Sequence, residues 1–80
     1  MKLKVLGAGC ANCDTLERRA SDALTELGVE GTVEHVTDYA LIAGYGVMST
    51  PALVVDEQVV VTGRVPEVAE LVSILAGTLP

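Results

Sequence analysis

Leu3-Lys4-Val5-Leu6-Gly7-Ala8-Gly9-Cys10-Ala11-Asn12-Cys13-Asp14, residues 3–14, runs from a Val/Leu-rich segment through two glycines into a Cys-x-x-Cys pair. The first part reads as a strand, Met1 to Leu6, and Gly7-Ala8-Gly9 as the loop that ends it. From Asp14 to Leu27 the spacing turns helical. Leu16, Ala20, Ala23, Leu24 and Leu27 recur every three or four residues and form one apolar stripe, while Glu17, Arg18, Arg19 and Glu26 are expected to face water. The two cysteines therefore stand where a first strand hands over to a first helix, which Gly28 closes as a C-terminal cap.

Further along, Thr32 to Val36 reads as a second strand and about Asp38 to Tyr45 as a brief helix that stops at Gly46. Ala52 to Val55 and Val59 to Thr62 read as two strands joined by the polar turn Asp56-Glu57-Gln58. Pro66 suits the first turn of a last helix, whose buried face is Val68, Leu71, Val72 and Leu75. The expected order is strand, helix, strand, helix, strand, strand, helix. Two parallel strands with a right-handed crossover, plus an antiparallel hairpin, make a four-stranded mixed α/β sheet with three helices. The whole chain, 1–80, is expected to be a single domain, because 80 residues hold only one core.

Composition narrows the function classes. Eleven acidic residues against five basic ones give a net charge of -6, which repels nucleic acid and anionic membranes. The start of the chain has no apolar run long enough for a signal peptide, and no stretch reaches membrane-spanning length. The expectation is a cytoplasmic monomer with no nucleic-acid or membrane partner. Half the residues are apolar but aromatics amount to Tyr39 and Tyr45, so Val, Leu, Ile and Ala must fill the core.

Three readings compete at the cysteines. As a structural staple the pair is weak, because closing so short a loop removes only roughly 2 kcal/mol of unfolded-chain entropy. A structural zinc site lacks partners: the only other soft ligand is His35, read as a packing residue on an edge strand, so no metal or cofactor is expected. As a redox pair the placement is physically apt. A helix N-terminus offers unpaired N–H groups and a positive dipole end, which stabilise a thiolate at Cys10, while Cys13, one turn inside, is shielded and resolves. Lowering a thiol pKa from about 8.5 to about 7 raises the thiolate fraction roughly fifteenfold but lowers its nucleophilicity, for a net gain of about threefold in attack. A modest depression is expected, since no Lys, Arg or His lies between Gly7 and Asp14.

Tyr45-Gly46-Val47-Met48-Ser49-Thr50-Pro51-Ala52-Leu53-Val54-Val55 resembles the thioredoxin segment that carries a cis-proline into the third core strand. Val61-Thr62-Gly63-Arg64-Val65 resembles the strand end whose glycine flanks the substrate groove. With Gly9-Cys10-Ala11-Asn12-Cys13, the chain is similar over nearly its full extent to the small microbial thioredoxin-like, or glutaredoxin-like, redox-active disulfide proteins. That resemblance implies a thioredoxin-like fold and a cis bond after Thr50. It also implies a protein disulfide oxidoreductase that uses Cys10 and Cys13, with Ser49, Thr50, Pro51 and Gly63 as the substrate platform. Its partners would be disulfide-containing proteins or small molecules and a reductase of the thioredoxin-reductase type, in electron transport and cell redox homeostasis.

The chain also departs from that pattern. No Trp precedes Cys10, and Ala11-Asn12 replaces the usual Gly-Pro. Lys4 stands where thioredoxins carry a buried carboxylate, and reads as a solvated strand charge; Arg64 reads as a surface cation and Met48 as groove lining or packing. An alternative from another class is a soft-metal, copper-type binding or carrier module, which places the same two thiolates between a first strand and a first helix. Such carriers close on a strand after two helices. Here a Thr50-Pro51 bend, a hairpin and a third helix are expected instead.

Overall fold

The computed structural model describes residues 1–8 and 11–79; Gly9, Cys10 and Pro80 lie outside the described residues. Strand β1, Lys2–Leu6, alternates as a half-buried strand should: Leu3 and Val5 point to one face, Lys4 and Leu6 to the other. Helix α1 spans Ala11–Leu27 and buries Cys13, Leu16, Ala20, Ala23 and Leu24. It covers three residues ahead of the Asp14 start expected from the apolar stripe, because Ala11 and Asn12 are exposed and contribute nothing to that periodicity. At its far end Gly28, with φ of 66°, donates to the Thr25 carbonyl, and Val29 donates to the Leu24 carbonyl. This is the paired closure of a Schellman cap, which satisfies carbonyls the helix leaves open.

Strand β2 is Thr32–Val36, and α2 is Tyr39–Gly44, capped by Asp38, whose carboxylate accepts from the Ala40 and Leu41 N–H groups. Strand β3 is Ala52–Val55, β4 is Gln58–Thr62 and α3 is Val68–Thr78. The sheet order is β2-β1-β3-β4, with β1 and β2 parallel and the other pairings antiparallel. Parallel β1 and β2 require the α1 crossover, while β3 and β4 need only a tight connection. The turn is Asp56-Glu57 alone, both with positive φ, and Gln58 already pairs with Val55. A two-residue turn with both central residues left-handed matches the twist of the strands it joins. Asp56 also ties this turn to the start of β1, donating from its N–H to the Lys2 carbonyl and accepting from the Lys2 N–H through Oδ1, both at 2.8 Å.

Helices α1 and α3 pack on one face of the sheet over Leu3, Val5, Leu53, Val55 and Val61; α2 covers Leu6, Val36, Ala52 and Val54 on the other. Leu71 and Leu75 are the fully buried residues of α3, with Val68, Val72 and Ile74 packed beside them. Pro66 lies before this helix rather than in its first turn, and Glu67 is the N-cap. The reason is tertiary. Arg19 reaches from α1 to the carbonyls of Val65 and Pro66, at 3.3 and 3.1 Å, and holds that segment extended against α1. Arg19 thus does more than face water. Among the described residues, no helix is long and apolar enough to cross a membrane.

Lys4 is tied down rather than solvated. Its Nζ donates to Tyr45 Oη at 2.9 Å and to Glu57 Oε1 at 2.8 Å. The Lys4 ammonium holds the Glu57 carboxyl below the usual carboxylate range, and Glu57 raises the Lys4 pKa in return. A depressed carboxyl contributes stability above its unfolded pKa and loses it as pH falls through the folded value. Glu57→Gln is therefore expected to lower the denaturation midpoint at neutral pH and to flatten its further decline between about pH 5 and pH 2. Denaturant titrations of both proteins across that range check this; parallel declines would refute it.

Candidate redox site

The site is assembled where β1 ends, α1 begins and β3 is entered. Cys13 sits in the first turn of α1 with its side chain fully buried among the α1 and α3 core residues, and it is disulfide-bonded. Cys10 falls outside the described residues. Gly7 continues the parallel ladder past β1, its N–H donating to the Val36 carbonyl at 3.0 Å. It is also pressed against the sulfur. A Cβ built at Gly7 would lie 2.3 Å from Cys13 Sγ and 3.6 Å from Thr50 Cβ. Cys13 and Thr50 therefore flank one point in space, and only a residue without a side chain fits between them.

The Thr50–Pro51 peptide bond is cis. Pro51 is buried, while Ser49 and Thr50 are exposed. The Pro51 carbonyl accepts from the Gly63 N–H at 2.8 Å, and a Cβ at Gly63 would come within 3.1 Å of Ser49 Cβ. Gly63 has φ of +70°, which a residue with a side chain adopts only under strain. Ser49, Thr50, Pro51 and Gly63 are thus brought together beside Cys13. Met48 is almost wholly exposed, so it does not pack.

Two cations singled out in the sequence lead elsewhere. Lys4 reaches toward the Glu57 turn, which adjoins Lys2 at the start of β1, whereas Gly7 lies past its end. Arg64 pairs with Glu70, which holds that carboxyl down and the guanidinium up. Missed in the sequence were two supports of the site. Gly7 reads there as one of several loop glycines, and nothing local marks it as the one against a sulfur. His35 does lie on the edge strand, as expected, but its Nε2 is 2.8 Å from the Gly7 carbonyl oxygen. The parallel pairing of Leu6 with Val36 brings the two together.

The thioredoxin domain family model matches residues 1–76. A thioredoxin of Methanothermobacter thermautotrophicus is 37% identical over 76 residues, covering 95% of this chain and 99% of that protein. The chain belongs to the thioredoxin domain family. A thioredoxin of Methanocaldococcus jannaschii is 32% identical over 69 residues, 86% of this chain and 79% of that protein. Membership in the thioredoxin family carries a thioredoxin-like redox function, that of a thiol–disulfide oxidoreductase. The order of elements, with β4 and α3 following β3, is the one expected of a thioredoxin-like fold rather than of a copper-type carrier fold.

Proposed function

We propose that Cys10 and Cys13 are the dithiol–disulfide couple of this protein and that it reduces disulfides in the cytoplasm as a monomer. The supporting observation is the packing at Cys13: a buried sulfur, pressed by Gly7, beside the exposed edge of Thr50. A buried thiol is shielded from external disulfides and suits the resolving step, which leaves attack to Cys10. The Cys10 thiolate attacks a substrate disulfide, forms a mixed disulfide and releases one substrate thiolate. Cys13, deprotonated, then attacks Cys10 Sγ, releases the second substrate thiolate and closes the Cys10–Cys13 disulfide. Two electrons pass to the substrate, and a reductase of the thioredoxin-reductase type returns them. Ser49, Thr50 and Pro51 form the platform on which an extended substrate lies, and Gly63 leaves its flank open.

Cys13→Ser is expected to accumulate mixed disulfides through Cys10 with disulfide-containing proteins and with glutathione, whereas Cys10→Ser accumulates none. Mass spectrometry of both variants after equilibration in glutathione buffers checks this. Permanently reduced thiols in the parent protein, with no adduct on Cys13→Ser, would favour the soft-metal reading. A Cys10 pKa no lower than that of free cysteine would remove the helix-end activation.

A further inference from the structure

The Gly7 carbonyl can only accept, so the 2.8 Å contact places a ring proton of His35 on Nε2 and turns Nδ1 toward α1. Nδ1 faces Glu17 Oε2 at 3.6 Å, beyond hydrogen-bond range. Asp14, three positions earlier on the same face of α1, completes a set in which one ligand atom from each side chain lies within 4.8 Å of the others. An imidazole nitrogen and two carboxylate oxygens converge there, a donor set that suits a cation at their centre. A metal-binding histidine is commonly oriented in this way, one N–H given to a backbone carbonyl and the other nitrogen presented to the ion. Asp14 and Glu17 are accessible, since both line an open groove between α1 and β2.

We infer that Asp14, Glu17 and His35 form a binding site for a first-row divalent cation of the zinc type. One imidazole nitrogen with two carboxylate oxygens favours zinc, cobalt or nickel over magnesium and calcium, and three protein ligands leave a position for water. A net charge of -6 raises the local concentration of such ions. This inference does not depend on the roles proposed for the cysteines. Free thiols would compete for the same ions, so the test uses the disulfide form.

Titration of that form with cobalt(II), followed by its visible ligand-field bands, is expected to saturate at one ion per chain without sulfur-to-metal charge-transfer absorption. Zinc should displace the cobalt; excess magnesium should not. Glu17→Gln and His35→Asn are each expected to weaken binding at least ~10-fold, the size of effect that loss of even an outer-shell partner produces. Asp14→Asn should weaken it as well, and because Asp14 and Glu17 lie toward solvent, the circular dichroism of their variants should match the parent. Cobalt affinity unchanged in both Glu17→Gln and His35→Asn would overturn the inference. So would His35 ring resonances that move with pH but not with zinc, which would mean that a second ring proton alone fills the cluster.

Discussion

Gly7→Ala is expected to destabilise the protein by about 3 kcal/mol and to lower its melting temperature by more than about 10 °C. The new Cβ would fall 2.3 Å from Cys13 Sγ, far inside van der Waals contact. Neither atom can yield easily. Cys13 is fully buried on α1 among Leu16, Leu3 and their neighbours, and Gly7 is held by the Val36 carbonyl and by His35. Overfilling a packed core usually costs about 1–3 kcal/mol, and the upper end applies where the obstacle is a disulfide-bonded sulfur rather than a rotatable side chain. Domains of this size have roughly 0.05–0.15 kcal/mol of stability per residue, so the loss is a large share of the total. Gly77→Ala provides the control. The same methyl there meets nothing within 4 Å and sits in the last turn of α3, where alanine is still favoured over glycine, by less than the ~1 kcal/mol of a helix interior. Thermal unfolding of the two variants should move in opposite directions; a Gly7→Ala melting temperature within about 2 °C of the parent would refute the contact.

Leu71→Ala is expected to destabilise by about 3 kcal/mol, within the range for emptying a fully buried leucine site. Leu71 has no exposed surface and lies where α3 packs on α1, in the same cluster as Cys13. Removing it leaves a cavity that the other residues of this cluster can only partly close. Leu41→Ala, at a residue 58% exposed on α2, should stay within about 0.5 kcal/mol of the parent. Chemical denaturation of both variants measures the difference. Equal losses would mean that burial does not set the energetics of this small core.

Short-range pattern was enough for much of the architecture. The 3.6-residue stripe of α1 and the Thr32–Val36 and Ala52–Val55 strand limits coincide with the structure, because each reflects a periodicity complete within a few residues. The turn is one residue shorter than the local pattern implies: Gln58 is polar and exposed, and only its pairing with Val55 makes it a strand residue. The last helix begins later than Pro66 because Arg19, far away in sequence, holds the preceding carbonyls. Lys4 read as a free strand charge, since nothing near it in sequence announces Glu57 or Tyr45.

The candidate site divides in the same way. Sequence by itself determined that Cys13 lies near the start of a first helix and that a proline precedes a buried strand, since both are matters of residue order and local propensity. Tertiary structure alone decided that Gly7 and Thr50 close around the Cys13 sulfur, and that His35, 28 residues from Gly7, meets its carbonyl and faces Glu17. Those contacts depend on the register of β1 against β2 and on the packing of β3 beside them. Register is a collective outcome of burying two apolar faces at once, and no single stretch of chain encodes it.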